Sequence, residues 1–234
     1  MADELQILYE DNHIIVVMKP QNVACCPDET GDANLLDMVK SYVKETYAKP
    51  GNAYIGLVHR LDRPTGGVMV FAKTSKAAAR LSAQMPSGEF EKRYLAVLCG
   101  APKMKTGKIE SYLKKNSINN MVYVCTQAEE GARYAALEYS ILQEDRGLAL
   151  AEIRLLTGRT HQIRVQTASV NCPVYGDMRY GGAKAVKGNL ALWAYSLRFS
   201  HPVTHEKMRF ICMPPEDSMP WSLFDCETVV PENR

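Results

Sequence analysis

The runs Ala135-Ala136-Leu137-Glu138-Tyr139-Ser140-Ile141 and Ala149-Leu150-Ala151-Glu152-Ile153-Arg154-Leu155, with Asp145-Arg146-Gly147 between them, decide the fold. Ala135, Leu137, Tyr139 and Ile141 recur at every second position, as do Ala149, Ala151, Ile153 and Leu155. A period of two puts each set on one face of a sheet, and the Gly-containing turn between them predicts a β-hairpin. Towards the N-terminus, Ile7 to Glu10 and Ile14 to Lys19 flank the turn formers Asp11-Asn12-His13, a second hairpin. Pro20 ends it, because proline cannot donate to a ladder. Leu57 to Asp62 and Val68 to Lys73 predict strands around a turn at Pro64-Thr65-Gly66-Gly67. Tyr94 to Leu98, Leu190 to Phe199 and Lys207 to Cys212 predict three more.

Helices are fewer. Asn34 to Tyr47 carries Leu35, Leu36, Val39 and Val43 at helical spacing, with Asn34 as its cap and a break at Gly51-Asn52. An Ala-rich helix runs from a Thr74 or Ser75 cap to about Met85. Thr160 to Ala168 reads as a helix with Ile163 on its buried side. Ala101 to Asn120, with Lys103, Lys105, Lys108, Lys114 and Lys115 against Glu110, reads as a solvated loop or edge region. The tail from Pro214 is rich in proline and acids and is expected to be peripheral. Many short strands, few helices and hairpin connections predict an α+β fold: a mixed, largely antiparallel β-sheet with flanking helices and loops. No internal repeat or linker divides the chain, so a single domain over 1–234 is expected, with a core at about 7–214 and a peripheral tail at 215–234.

The chain has 234 residues, 28 Lys+Arg against 26 Asp+Glu, and a net charge of +2. A chain of that size buries enough surface to fold without a metal or disulfide staple. Its 46% hydrophobic and 23% charged residues exclude a disordered or collagen-like chain. The acidic start Met1-Ala2-Asp3-Glu4 is unlike a signal peptide, and Ile14 to Met18 is far shorter than the ~18 residues of a membrane span. Seven cysteines without a C-x-x-C predict reduced thiols in a cytoplasmic protein.

Motifs of common chemistries are absent from the sequence. Gly107-Lys108 is followed by Ile109, where a P-loop needs Ser or Thr, and neither G-x-G-x-x-G nor G-x-S-x-G occurs. His201 and His205 stand four apart, but Glu206 follows the second histidine, unlike a zincin, so no metal site is expected. Three segments concentrate charge where strands and turns converge. In Leu57-Val58-His59-Arg60-Leu61-Asp62-Arg63-Pro64-Thr65-Gly66-Gly67, Asp62 either caps turn amides or is a carboxylate kept ionised by Arg60 and Arg63. Lys92-Arg93-Tyr94-Leu95-Ala96-Val97 is uninformative alone. Thr157-Gly158-Arg159-Thr160-His161-Gln162-Ile163-Arg164 places donors at a strand-to-helix junction, where amides and cations suit phosphate.

His59-Arg60-Leu61-Asp62 with Thr65-Gly66-Gly67 resembles the H-R-L-D-x-x-T-S-G signature of the RluA family of pseudouridine synthases. Further segments match that family in the same order: Tyr9-Glu10-Asp11 through Lys19-Pro20, Lys92-Arg93-Tyr94, Gly158 to Arg164, Pro173-Val174-Tyr175-Gly176-Asp177 and Tyr180-Gly181. The resemblance runs from about Ile7 to Pro214 and implies the pseudouridine synthase fold. By resemblance, Asp62 is the catalytic aspartate and Tyr94 the active-site tyrosine. Arg164, in preference to Arg159, is the arginine that pairs with the aspartate. Arg60 is the residue that enters the RNA stack as the uridine leaves. Arg63, Thr65, Arg159, His161 and Gln162 complete the expected RNA-binding set.

The implied reaction breaks the N-glycosidic bond of a uridine, turns the base and rejoins it through carbon 5. It needs no cofactor and no metal. Its partner is RNA, ribosomal or transfer, and a monomer away from membranes is expected. Asp62 attacks the sugar or the base or assists proton removal; all three routes stay open. Gly66, Met18 and Asn22 replace the family's usual Ser, Asn and Gly without touching Asp62, Tyr94 or Arg164. Family motifs begin within ten residues of Met1, so the small RNA-binding domain of many relatives is expected to be absent. Two other readings are a non-catalytic RNA-binding relative of the same fold and a carboxylate-dependent glycosidase. The latter needs a second acid, and none near Asp62 has a comparable setting. The +2 balance is an average: the motif arginines are expected in one cleft, while acids such as Glu216, Asp217, Asp225, Glu227 and Glu232 gather in the tail.

Overall fold

The computed structural model describes residues 5–48 and 53–230. The strands are β1 (Ile7–Glu10), β2 (Ile14–Lys19), β3 (Gly56–Leu57), β4 (Gly66–Ala72), β5 (Glu91–Cys99), β6 (Thr106–Lys115), β7 (Val122–Cys125), β8 (Arg133–Asp145), β9 (Leu148–Leu155), β10 (Leu192–Ser200) and β11 (Lys207–Ile211). The helices are α1 (Leu35–Thr46), α2 (Ser75–Ser87), α3 (Gln162–Ser169) and the single turn α4 (Cys226–Val229). Two compact units share them: Met1–Lys92 with Ala194–Cys212, and Arg93–Trp193 with Met213–Arg234. The expected helix break at Gly51-Asn52 and the chain's first four residues lie outside the described residues.

In the first unit the strand order is β1-β2-β4-β10, with β3 on β4 and β11 on β10. The ladders β1·β2, β2·β4, β3·β4 and β10·β11 are antiparallel. The first hairpin turns at Asp11, whose Oδ1 accepts the N–H groups of His13 (2.7 Å) and Ile14 (2.8 Å). Asn34 caps α1 by accepting the Asp37 N–H, and Leu35, Val39 and Val43 are its buried stripe. Thr74 caps α2, which ends at Gly88 in the left-handed conformation that glycine adopts without strain. Ala77 and Leu81 of α2 pack with Ile14, Val16, Val68, Val70, Phe90, Leu197 and Phe199 as the core. Each residue of β4 is buried.

The strand expected over Leu57 to Asp62 stops at Leu57. Side chains replace the ladder beyond it: the Leu61 N–H donates to Cys25 Sγ (3.2 Å), whose thiol lies 3.1 Å from the Leu61 carbonyl. The Val70 N–H of β4 is met by the His59 ring instead of by a strand.

The second unit contains the antiparallel order β5-β9-β8-β6-β7. Arg146 and Gly147, both at positive φ, close the β8–β9 hairpin, as a tight two-residue turn requires. Ala135, Leu137, Ala149, Ala151 and Ile153 are fully buried. The lysine-rich stretch corrects the sequence reading: Thr106–Lys115 is a strand paired with β8 and then β7. Exposed Thr106, Lys108 and Glu110 alternate with half-buried Gly107, Ile109 and Ser111, a period in which only Ile109 is apolar. Helix α3 begins at Gln162 rather than Thr160, because His161 takes φ +51°. Val165 packs with Leu113, Val122 and Ala135, so α3 lies on one face of this sheet. The tail is not peripheral as expected: Trp221, Phe224 and Cys226 are buried. Antiparallel sheet with a few packed helices makes this an α+β fold.

Candidate active site

The first unit presents Asp62. Its turn is fastened from several sides. The Thr65 N–H donates to the Asp62 carbonyl (2.9 Å). Gln21 Nε2 donates to the Pro64 carbonyl (3.0 Å). Lys19 Nζ donates to the carbonyls of Pro20 (2.8 Å), Val23 (2.6 Å) and Arg63 (2.9 Å). Lys19 is 0% exposed. Burial pulls its pKa down to about 8, against the opposing pull of Cys25 and Asp62. Asp62 itself is half-buried, within electrostatic reach of that ammonium.

The residues around Asp62 divide sharply. Arg60 is exposed. Arg63, expected to contact phosphate, holds Asp28 Oδ2, Thr30 Oγ1 and Asp32 Oδ2, each at 2.7 Å. Those bonds pull the Asp28 pKa down to about 2, the Thr30 hydroxyl first and Arg63 next. His59 is buried, its Nε2 accepting the Val70 N–H (3.2 Å) and its ring edge-on to Phe90. Burial lowers its pKa to about 3, so it is a neutral structural ring. Thr65 is also buried, its hydroxyl enclosed without a hydrogen-bond partner among the described residues, and not displayed to solvent.

The second unit presents Tyr94 and Arg164. Tyr94, 5% exposed, pairs in register with Ile153, which pairs with Tyr139. That parity puts it on the sheet face that also carries Ala135 and Leu113, the face covered by α3. Arg164 projects from α3 into a bidentate pair with Asp177: Nε to Oδ2 at 2.7 Å and Nη2 to Oδ1 at 2.8 Å. Asp177 also accepts the N–H groups of Arg179 and Tyr180, both at 3.0 Å. Burial alone would raise the Asp177 carboxyl; the Arg164 bonds and charge and the two amides outweigh it and hold the pKa down. The Arg164 guanidinium lies over the Tyr180 ring, 5.1 Å from its centroid. Tyr180 Oη accepts the Val122 N–H (3.0 Å) and lies 2.7 Å from His161 Nδ1.

Arg159 is exposed, with Nε donating to the Tyr134 carbonyl (2.9 Å). Gln162 departs from the expected RNA-binding set. It is 3% exposed and spends its amide inside, accepting from Thr157 Oγ1 and the Arg159 N–H and donating to Ala136 O and Gln166 Oε1. The structure thus links Arg164 and His161 through Tyr180, while Arg159 turns to the Tyr134 carbonyl. Sequence reasoning gave no role to Lys19, Cys25, Asp177 or Tyr180. Three of them, Lys19, Asp177 and Tyr180, lie in the matched segments, and a polar side chain beside turn-forming Pro20, Gly176 or Gly181 was the available signal. Among the described residues no three His, Cys, Asp or Glu side chains are placed to hold a metal ion, and no helix is long and apolar enough to cross a membrane.

Each unit thus holds its own polar groups: the first a half-buried Asp62 carboxylate on a fastened turn, the second a buried Tyr94 and an Arg164 fixed by Asp177. Carboxyl and phenol groups are of the kinds that serve acid–base and nucleophilic chemistry. The model of the RNA pseudouridylate synthase family matches residues 13–169, and the chain belongs to that family. In Zymomonas mobilis, the protein named ribosomal large subunit pseudouridine synthase D is 33% identical over 91% of this chain and 70% of its own length. The Bacillus subtilis RNA pseudouridine synthase YhcT is 33% identical over 87% of this chain, which spans 66% of that relative. Human RNA pseudouridylate synthase domain containing 4 shares the fold at a TM-score of 0.74 and 22% identity, over 91% of this chain and 89% of its own.

Proposed function

We propose that this chain isomerises specific uridines in structured RNA to pseudouridine, acting as a cofactor-free monomer in the cytoplasm. The observation that carries the reading is the Asp62 turn: a half-buried carboxylate whose backbone is fastened through Lys19, Gln21 and Thr65. A nucleophile or base must be held in place to gain from proximity. Asp62 is the carboxylate that acts on the uridine, Tyr94 the ring that meets the base and helps move the carbon-5 proton, and Arg164 the cation of the site. The target leaves its stack before reaction, and Arg60, exposed and planar, takes the vacancy. Arg159 and His161 meet the phosphates. The name of the Zymomonas relative makes large-subunit ribosomal RNA the first substrate to try, with transfer RNA second.

The test is tritium release from RNA labelled at carbon 5 of uridine. The wild-type chain releases tritium and forms pseudouridine; Asp62→Asn binds the same RNA and releases none. Normal release from the variant would sink the assignment. Binding without release by the wild-type chain would favour the non-catalytic RNA-binding relative.

A further inference from the structure

Resting on that reading, we propose that Asp177 and Tyr180 are positioning residues for Arg164: they fix the plane and the edge with which this guanidinium enters the reaction. The Asp177 side chain is 0% exposed and that of Arg164 8%, so the pair is sealed from water. A guanidinium has two hydrogen-bonding edges and two faces. Asp177 occupies the Nε–Nη2 edge with both oxygens, a geometry that allows neither rotation about the ion pair nor sliding along it. Tyr180 covers one face. Asp177 engages Nε and Nη2, and Nη1 is the nitrogen it does not engage.

The holders are themselves held. The Arg179 and Tyr180 amides fix Asp177, and Val122 of β7 and His161 fix Tyr180. The cation is therefore oriented before substrate arrives, as an electrostatic contribution to a transition state requires.

The experiment compares Asp177→Asn with the wild type in single-turnover pseudouridine formation, RNA affinity and thermal stability. Asparagine keeps an acceptor for the two amides and removes the charge. The expected result is a folded protein with RNA affinity within about twofold and a turnover rate lower by about 10²-fold, the scale of a small misplacement. On an Arg164→Ala background the same substitution should add no further loss, because both act through one group. Full-rate turnover, loss only through weaker RNA binding, or multiplying losses would each overturn the proposal.

If Asp177→Asn does not fold, Tyr180→Leu and Tyr180→Phe carry the test. Leucine should lose turnover and phenylalanine, which keeps the ring, should retain most of it; equal losses would overturn the proposal. An NMR arm needs no turnover. The Arg164 Nε–H should give a slowly exchanging resonance in the wild type that Asp177→Asn abolishes, and its persistence would overturn the proposal. A wild-type chain that shows this resonance but makes no pseudouridine would refute the function and leave the positioning intact.

Discussion

Replacing Lys19 with methionine tests the logic of the Asp62 turn. Lys19 is an unexposed ammonium held by three backbone carbonyls. Its pKa falls from 10.5 to about 8, chiefly through burial. At 1.36 kcal/mol per pH unit, that fall is a penalty of about 3 kcal/mol on the folded, charged state. The sign follows from proton counting. Below pH 8 the group is charged in folded and unfolded chains alike, and the penalty is complete. Between pH 8 and 10.5 the unfolded chain keeps a proton that the folded chain releases, so stability rises with pH.

Lys19→Met removes the penalty but orphans the carbonyls of Pro20, Val23 and Arg63, at about 1–3 kcal/mol each. The variant should therefore be less stable at pH 7 by a few kcal/mol. It should also lack the alkaline rise. Urea unfolding of both proteins from pH 7 to 10.5 measures this: the wild-type advantage should widen by about 3 kcal/mol across the range. A constant difference, or a variant more stable at pH 7, would refute the account of a buried, carbonyl-held ammonium.

Three other perturbations have defined outcomes. Arg63→Ala should change RNA affinity less than twofold and leave its salt dependence unaltered, because the guanidinium is committed to Asp28, Thr30 and Asp32; a salt slope lower by about one would return it to the phosphate contacts. Gly67→Ala should destabilise the chain by about 3 kcal/mol or more, since an added Cβ would lie 2.2 Å from the Ala194 carbonyl oxygen at φ +121°, and chemical denaturation reads it directly. His59→Phe should abolish an acid-side loss of stability: with a folded pKa of about 3 against 6.5, the unfolded chain alone takes up the proton as pH falls through that window, so unfolding midpoints at pH 7 and pH 4.5 should differ more in the wild type than in the variant.

The sequence was most legible where burial is one-sided and regular. The period of two in β8 and β9 and the i, i+4 stripe of α1 come from alternation between core and solvent, which composition reports directly. Strand β6 does not stand out in the sequence because its exposed positions are Thr106, Lys108, Glu110 and Lys115 and two of its inner ones, Gly107 and Ser111, are small or polar. The Leu57–Asp62 segment has strand composition, but its partners are the Cys25 thiol and the His59 ring, distant groups that no local pattern reveals. The candidate site residues were named from motif order alone. The roles of Lys19, Asp177 and Tyr180 were not legible, because they depend on which buried carbonyls and amides the fold leaves to be satisfied. The tail deceived through its acids and prolines, which flank the buried Trp221 and Phe224.

Strand β4 has a consequence on the time axis. It has no solvent-exposed residue and pairs with β2 from Gly67 to Ala72. Its amides can exchange with deuterium only when the first unit opens as a whole. The Asp62 turn feeds straight into that strand, so the Asp62 carboxylate is tethered to a fully buried stretch of its unit. The exposed Asp28–Asp32 loop that grips Arg63 should exchange within the dead time of the same measurement. Rigidity and adaptability thus meet at Arg63, whose carbonyl is held by Lys19 while its side chain reaches the exposed loop.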